Sequence, residues 1–219
     1  MLSAQLFLSR DGGETSQIFV RCAYGIGAAV SIRGQVIRGD SGQCAEIGHI
    51  PVVPRGGKPC SCGKSGCLET VASPTAILTD ALALLDRERT PLLWQTAREK
   101  GADALTLSDV LDAARGGDGQ LAHLTERAAD ALAGALKSAI YVLDPGRLVL
   151  YGPLFEHPYY MAKLKSALSE GVDPAHDVPA ELSRWSGKLE QRAAGLLAVQ
   201  RFLDAGGLFG ACSCGKNEA

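Results

Sequence analysis

The sequence predicts an α/β fold from three observations. Two β-rich runs flank a glycine turn near the start, and a long amphipathic helix ends in Asp144-Pro145-Gly146 and leads directly into an apolar strand. No shift in composition marks an internal linker. The runs 18–23 and 28–32 are separated by Tyr24-Gly25-Ile26-Gly27, and Arg33-Gly34-Gln35 then turns the chain into 36–38. That pattern reads as a meander.

A helix is expected to start at Ser73-Pro74 and continue over 76–86, since proline is preorganised for the first helical turn. A second is expected over 108–115, capped by Ser108 and stopped by Gly116-Gly117. The clearest runs over 120–143. Leu121, Leu124, Ala128, Leu132, Ala135, Ala139 and Leu143 recur at three- and four-residue steps, with Glu126, Arg127, Asp130 and Lys137 largely on the other side. The stripe is a core face and carries no sign of a cofactor site. A buried strand over 147–151 follows, and then helices over 159–168 and 189–203 with a strand over 180–185 between them.

Residues 46–69 fit neither helix nor strand. Pro51, Pro54 and Pro59 oppose both, while Gly56, Gly57, Gly63 and Gly66 let the backbone fold back. Within this stretch lie His49, Cys60, Cys62 and Cys67, the number and softness of donors that close a tetrahedral zinc site. A loop with no structure of its own is costly to order, and a structural zinc offsets that cost. The alternatives are incidental buried thiols or a disulfide. Adjacent thiols in Cys-x-Cys pair poorly with each other and nothing points to an oxidising compartment, so metal is favoured.

Glu46-Ile47-Gly48-His49, the later Cys-x-Cys-Gly-x-x-Gly-Cys-Leu-Glu segment and the upstream Gly25-Ile26-Gly27 hairpin together resemble the ROK family of bacterial sugar kinases and sugar-responsive repressors. The resemblance runs from about 18 to 202 and covers the second half of a family member. It implies the second lobe of an actin-like ATPase (ribonuclease H-like) fold over 1–204, with the zinc loop 46–69 inserted in it. It also implies that Glu46, His49 and Glu69 hydrogen-bond the hydroxyls of a pyranose. His49 can serve metal and sugar together only if each takes one ring nitrogen.

Other parts of the family pattern are altered. Kinases of the family place a threonine before the first glycine of their phosphate turn, where this chain has Tyr24. They also have paired glycines after the strand 147–151, where this chain has Gly152-Pro153. Proline removes an N–H and fixes φ. Both departures argue against ATP and Mg, and leave Gly25 and Gly27 as a vestigial phosphate turn serving hairpin geometry. The family's catalytic aspartate belongs to the first half and has no match here, so no catalytic residue is assigned. Phosphoryl transfer depends on such a base and on phosphate positioning.

Among 219 residues, 22 Lys and Arg nearly balance 24 Asp and Glu, for a formal charge of −2, so no basic surface for nucleic acid is expected. Seven cysteines are an odd count that does not read as a disulfide framework. Cys212-Ser213-Cys214-Gly215-Lys216 repeats the sequence of 60–64 but has no further ligands nearby, and 205–219 reads as a disordered tail. The first ten residues lack a basic leader and a long apolar run, which points to a cytoplasmic protein without a membrane segment.

The expected function is therefore the carbohydrate-sensing effector lobe of a ROK-type transcriptional regulator, truncated so that its DNA-binding domain is missing. It takes a small-molecule sugar, makes no nucleic-acid contact of its own and associates as a homo-oligomer. The alternative is the C-terminal fragment of an ATP-dependent hexose or N-acetylhexosamine kinase. A third reading is a zinc-stabilised module that pairs with another subunit.

Overall fold

The computed structural model describes residues 14–171, 173, 176–183, 194–196, 198–199 and 202. Strand β1 (Gln17–Cys22) pairs antiparallel with β2 (Ile26–Ile32), which pairs with the short β3 (Gln35–Val36). Between β2 and β3, Arg33 and Gly34 both have positive φ, 46° and 78°, as a two-residue hairpin turn requires. The Arg33 N–H donates to Ser16 Oγ at 3.2 Å, which helps hold a non-glycine residue in that region.

Strand β4 (Arg147–Tyr151) joins β1 in parallel, and β5 (Ala180–Leu182) joins β4 in parallel, giving the order β3-β2-β1-β4-β5. The alternation along these strands sorts side chains onto two faces. Ile18, Val20, Cys22, Val30, Leu148 and Leu150 join the main core, whereas Phe19, Val149 and Tyr151 form a smaller buried cluster. That burial on both faces explains why β4 reads as a continuous apolar run. Strand β5 ends at Leu182, and Ser183 donates its N–H to the Leu150 carbonyl at 2.7 Å. The remainder of the strand expected to 185 lies outside the described residues.

The main core is covered by helices α1 (Glu69–Ala72), α2 (Pro74–Ala83), α3 (Pro91–Lys100), α4 (Leu107–Gly116), α5 (Gly119–Leu143), α6 (Pro153–Glu156) and α7 (Pro158–Ser169). Helix α5 spans 25 residues and packs against α7, α4, α1 and α2. Its buried face is wider than the expected stripe, because Ala129, Ala133, Leu136 and Ile140 are buried as well, while Leu124, Ala139 and Leu143 are half-buried. Contact with helices on several sides needs this breadth.

Two helix starts differ from expectation. Helix α4 is capped by Thr106, whose Oγ1 accepts from the Asp109 N–H while Asp109 Oδ2 accepts from the Thr106 N–H at 2.9 Å. This reciprocal box displaces Ser108, which sits inside the first turn. Helix α3 was not expected. Its cap is supplied from elsewhere in the chain: Asp118, 1% exposed, accepts from Leu92 N–H at 3.1 Å and Leu93 N–H at 3.0 Å. Helix α2 begins as expected, with Ser73 Oγ accepting from Ala76 N–H at 3.1 Å, but it stops at Ala83. Beyond it, the Asp86 carboxylate folds back onto the N–H groups of Glu88 and Arg89.

At the exit of β4, Gly152 has φ 128°, and a Cβ there would lie 2.0 Å from the Cys22 carbonyl oxygen. Only glycine lets the chain pass the end of β1 so closely before Pro153 starts α6. Of the helix expected over 189–203, positions 194–196, 198–199 and 202 are helical and the rest lie outside the described residues. The expected tail 205–219, with Cys212 and Cys214, also lies outside them. Among the described residues no helix is long and apolar enough to cross a membrane.

Candidate metal centre and ligand cleft

The loop between β3 and α1 has more order than a structureless connection. Pro51 bridges to Cys67 and Pro59 to Ser65, as short antiparallel contacts. Val52 and Val53 N–H groups donate to the Gly66 carbonyl, and Leu68 N–H donates to the Ile50 carbonyl. Gly66, at φ 75°, makes this folding possible, since a Cβ there would lie 2.0 Å from the Val53 carbonyl oxygen. The glycines and prolines that broke the sequence pattern thus build a compact double-back.

That folding brings a ring nitrogen of His49 and the Sγ atoms of Cys60, Cys62 and Cys67 within 4.8 Å of one another. His49 Nδ1 lies 3.5 Å from Cys60 Sγ, and Cys62 Sγ lies 3.6 Å from Cys67 Sγ. Two sulfurs at about 2.3 Å from a tetrahedral zinc are separated by roughly 3.8 Å, so these spacings fit the edges of such a site. Cys67 is buried and Cys62 exposed. Burial, with the nearby Cys62 second, pushes the Cys67 thiol up to about 11. The Lys64 backbone N–H holds the Cys62 thiol below its ordinary value. The four sequence-predicted donors could hold a metal ion.

Cys22 and Cys44 stand apart from the cluster. Burial pushes the Cys22 thiol up to about 12, and its Sγ lies 3.9 Å from the Ala72 carbonyl oxygen. It is an inert core thiol. Cys44 is half-buried.

Glu69 opens α1 and reaches toward the β1–β2 hairpin, where its Oε2 accepts from the Ile26 N–H at 3.2 Å. Its Oε1 lies 3.9 Å from Cys60 Sγ, which connects it to the donor cluster. Glu46 precedes the 3₁₀ turn Ile47–His49; its carbonyl accepts from the His49 N–H at 3.0 Å and its side chain is exposed. The same turn is held under the hairpin by Gly48, where a Cβ would lie 2.1 Å from the Ile26 carbonyl oxygen.

A cleft of about 610 Å³ opens beside this assembly. Glu69 and Cys60 are on its wall with Tyr24, Lys58, Ser61 and Thr75. His49 and Glu46 are not among its lining residues, and His49 is connected to it through Cys60, which is. Lys58 pairs with Asp80, and the Thr75 hydroxyl donates to the Tyr24 carbonyl at 2.9 Å. Sequence reasoning missed Lys58 and Thr75, which belong to no motif, and Ser61, which is the variable position of Cys-x-Cys; only folding brings them to one cleft.

The expected phosphate turn is shorter than the sequence suggested, since β2 already begins at Ile26. Gly27 pairs with Arg21 inside the hairpin, and a Cβ there would meet nothing within 4 Å. Gly25 faces Glu69, whose Oε2 would lie 2.0 Å from a Cβ at that position. The Ile26 N–H, which an anion at this turn would seek, already donates to Glu69.

The ROK family model matches residues 3–198. A glucokinase of Halalkalibacterium halodurans is 34% identical over 148 residues, which cover 68% of this chain and 44% of the relative. The N-acetylglucosamine repressor of Escherichia coli O157:H7 is 34% identical over 142 residues, covering 64% and 32% respectively. The chain thus spans less than half the length of these two relatives. A ROK family glucokinase from Streptomyces griseus, in complex with glucose and AMPPNP, superposes with a TM-score of 0.74 at 25% identity, covering 90% of this chain and 66% of that one. The mixed sheet fits the actin-like ATPase fold of such structures.

Proposed function

Since the chain belongs to the ROK family, we propose that it is the carbohydrate-sensing effector lobe of a ROK-type regulator, with sugar held beside a structural zinc. The observation that carries this reading is the use of the hairpin's central donor. Ile26 N–H donates to Glu69 at 3.2 Å, and Glu69 fills the space over Gly25. A carboxylate at that place repels a phosphate through like charge. The turn is then suited to fixing a sugar-binding acid. The likeness to a repressor relative agrees with this reading.

The chemistry assigned to each residue follows from its donor or acceptor character. His49, Cys60, Cys62 and Cys67 hold the zinc, which fixes the loop and the imidazole when bound. His49 turns Nδ1 toward Cys60, so its Nε2, on the far side of the ring, is left to meet a sugar hydroxyl. Glu46 and Glu69 accept hydroxyl protons in short charge-assisted bonds. Tyr24 at the turn and Gly152-Pro153 after β4 go with a chain that binds without transferring phosphate.

The second reading, part of an ATP-dependent hexose or N-acetylhexosamine kinase, draws on the glucokinase likeness and on an N-acetylmannosamine kinase of Shigella boydii that is 29% identical over 160 residues. Incubation with Mg-ATP and a panel of hexoses separates the two. The effector reading expects no sugar phosphate above background. Turnover that is lost on Gly25→Ala overturns it.

A further inference from the structure

Tyr24 is 85% exposed although its backbone is held firmly. The Thr75 hydroxyl donates to its carbonyl at 2.9 Å, and Ala23 N–H donates to the Gly25 carbonyl at 3.1 Å, so the tip of the hairpin is pinned on both sides of the residue. The ring is therefore presented from a fixed base, beside the cleft it shares with Glu69, Ser61 and Thr75. An aromatic side chain gains from covering its faces, and nothing about the strand pairing of the hairpin requires an aromatic residue here.

The cleft offers hydroxyls, one carboxylate and the ammonium of Lys58, which is paired with Asp80, all suited to the equatorial hydroxyls of a pyranose. A pyranose also has an apolar face of axial C–H groups, and hydrogen-bonding groups do nothing for it. Tyr24 is the large aromatic surface in that lining. We infer that Tyr24 is a sugar-stacking residue, its ring covering the C–H face of a hexopyranose whose hydroxyls meet Glu69. The inference rests on the sugar-binding reading above and adds a determinant of ligand class: a neutral hexose with one uninterrupted C–H face.

Stacking has a signature that hydrogen bonding lacks, because an aromatic ring shifts the resonances of protons lying over it upfield. Proton spectra of glucose and N-acetylglucosamine, titrated with the zinc-loaded full chain, should show upfield shifts at the C–H protons of one sugar face. Tyr24→Ala should remove those shifts and weaken binding about tenfold, which corresponds to the loss of an aromatic contact worth about 1.4 kcal/mol. Tyr24→Phe should retain both. Zinc content and thermal midpoint should be unchanged in both variants, since the ring is exposed.

Glu69→Gln separates this inference from the reading beneath it, because it should weaken binding while leaving the pattern of upfield shifts in place. Parent-like affinity in Tyr24→Ala overturns the stacking role alone. Equal losses in Tyr24→Phe and Tyr24→Ala also overturn it, by assigning the effect to the hydroxyl. A Tyr24-dependent shift of adenosine protons in place of sugar protons would make the ring a purine platform and refute it. Failure of the parent chain to bind either sugar rejects the sugar reading and the inference together.

Discussion

Replacing Glu69 separates its structural task from its binding task. In the folded chain its Oε2 accepts from the Ile26 N–H at 3.2 Å, in a half-buried setting at the junction of hairpin and loop. Glu69→Ala leaves that N–H without its acceptor, at a cost of about 1–3 kcal/mol. For a chain of this length each kcal/mol moves the thermal midpoint by roughly 2–4 °C, so a fall of about 2–12 °C is expected. Glu69→Gln keeps an amide oxygen in the same place and loses only the charge assistance, about 1 kcal/mol at most. Sugar affinity should fall in both variants by about 1–2 kcal/mol, or roughly 5- to 30-fold, because a charged acceptor has been removed from the hydroxyls. Thermal unfolding and calorimetric titration of the same preparations, with zinc content measured alongside, give the comparison. A Gln variant as unstable as the Ala variant would refute the hydrogen-bond account. Unchanged sugar affinity in both would refute the binding role.

Elemental analysis should find one zinc per chain, and Cys62→Ser or Cys67→Ser should lower both zinc content and thermal midpoint, whereas removing Cys212 and Cys214 together should alter neither. Asp118→Ala should destabilise the chain by about 2–4 kcal/mol in denaturant titration, since one buried and one part-buried N–H group at the start of α3 lose a charged acceptor. Asp86 has its carboxyl held below the ordinary range by the N–H groups of Glu88 and Arg89. Its contribution is present above the ordinary carboxylate value and is lost as pH falls through the lowered value, so Asp86→Asn should flatten the acid limb of a stability–pH curve.

Much of this architecture was legible because its signals are local. The period of α5, the Asp-Pro-Gly stop before β4, and the Ser73-Pro74 start of α2 each depend on residues within a few positions. Helix α3 has the same kind of local start, Thr90-Pro91, and a Gly101 stop, which the sequence reading passed over; what no local pattern shows is that its first N–H groups are satisfied by Asp118, 25 residues from Leu93. The Ser108 cap fails for a local reason: Thr106-Leu107-Ser108-Asp109 is a capping box with Asp in place of the usual Glu or Gln, which moves the cap two residues earlier.

The four metal donors were visible as a composition in one loop, and the loop's own bridges through Pro51 and Pro59 were not. Gly25 looked like part of an anion turn, while the contact that changes its meaning comes from Glu69, 43 positions from Ile26. The cleft itself combines the hairpin tip, the metal loop and the first turn of α2. Long-range convergence of this kind leaves no periodic trace in sequence.

Calorimetric titration with glucose, N-acetylglucosamine and N-acetylmannosamine, on zinc-loaded and zinc-stripped protein in parallel, tests the central claim most directly. The account predicts saturable binding of at least one of these sugars to the loaded chain. It predicts weaker binding to the stripped chain even where its circular dichroism is unchanged, because His49 loses the bond that orients its ring. Binding of equal strength with and without zinc, or no saturable binding of any of the three sugars to the loaded chain, would contradict it.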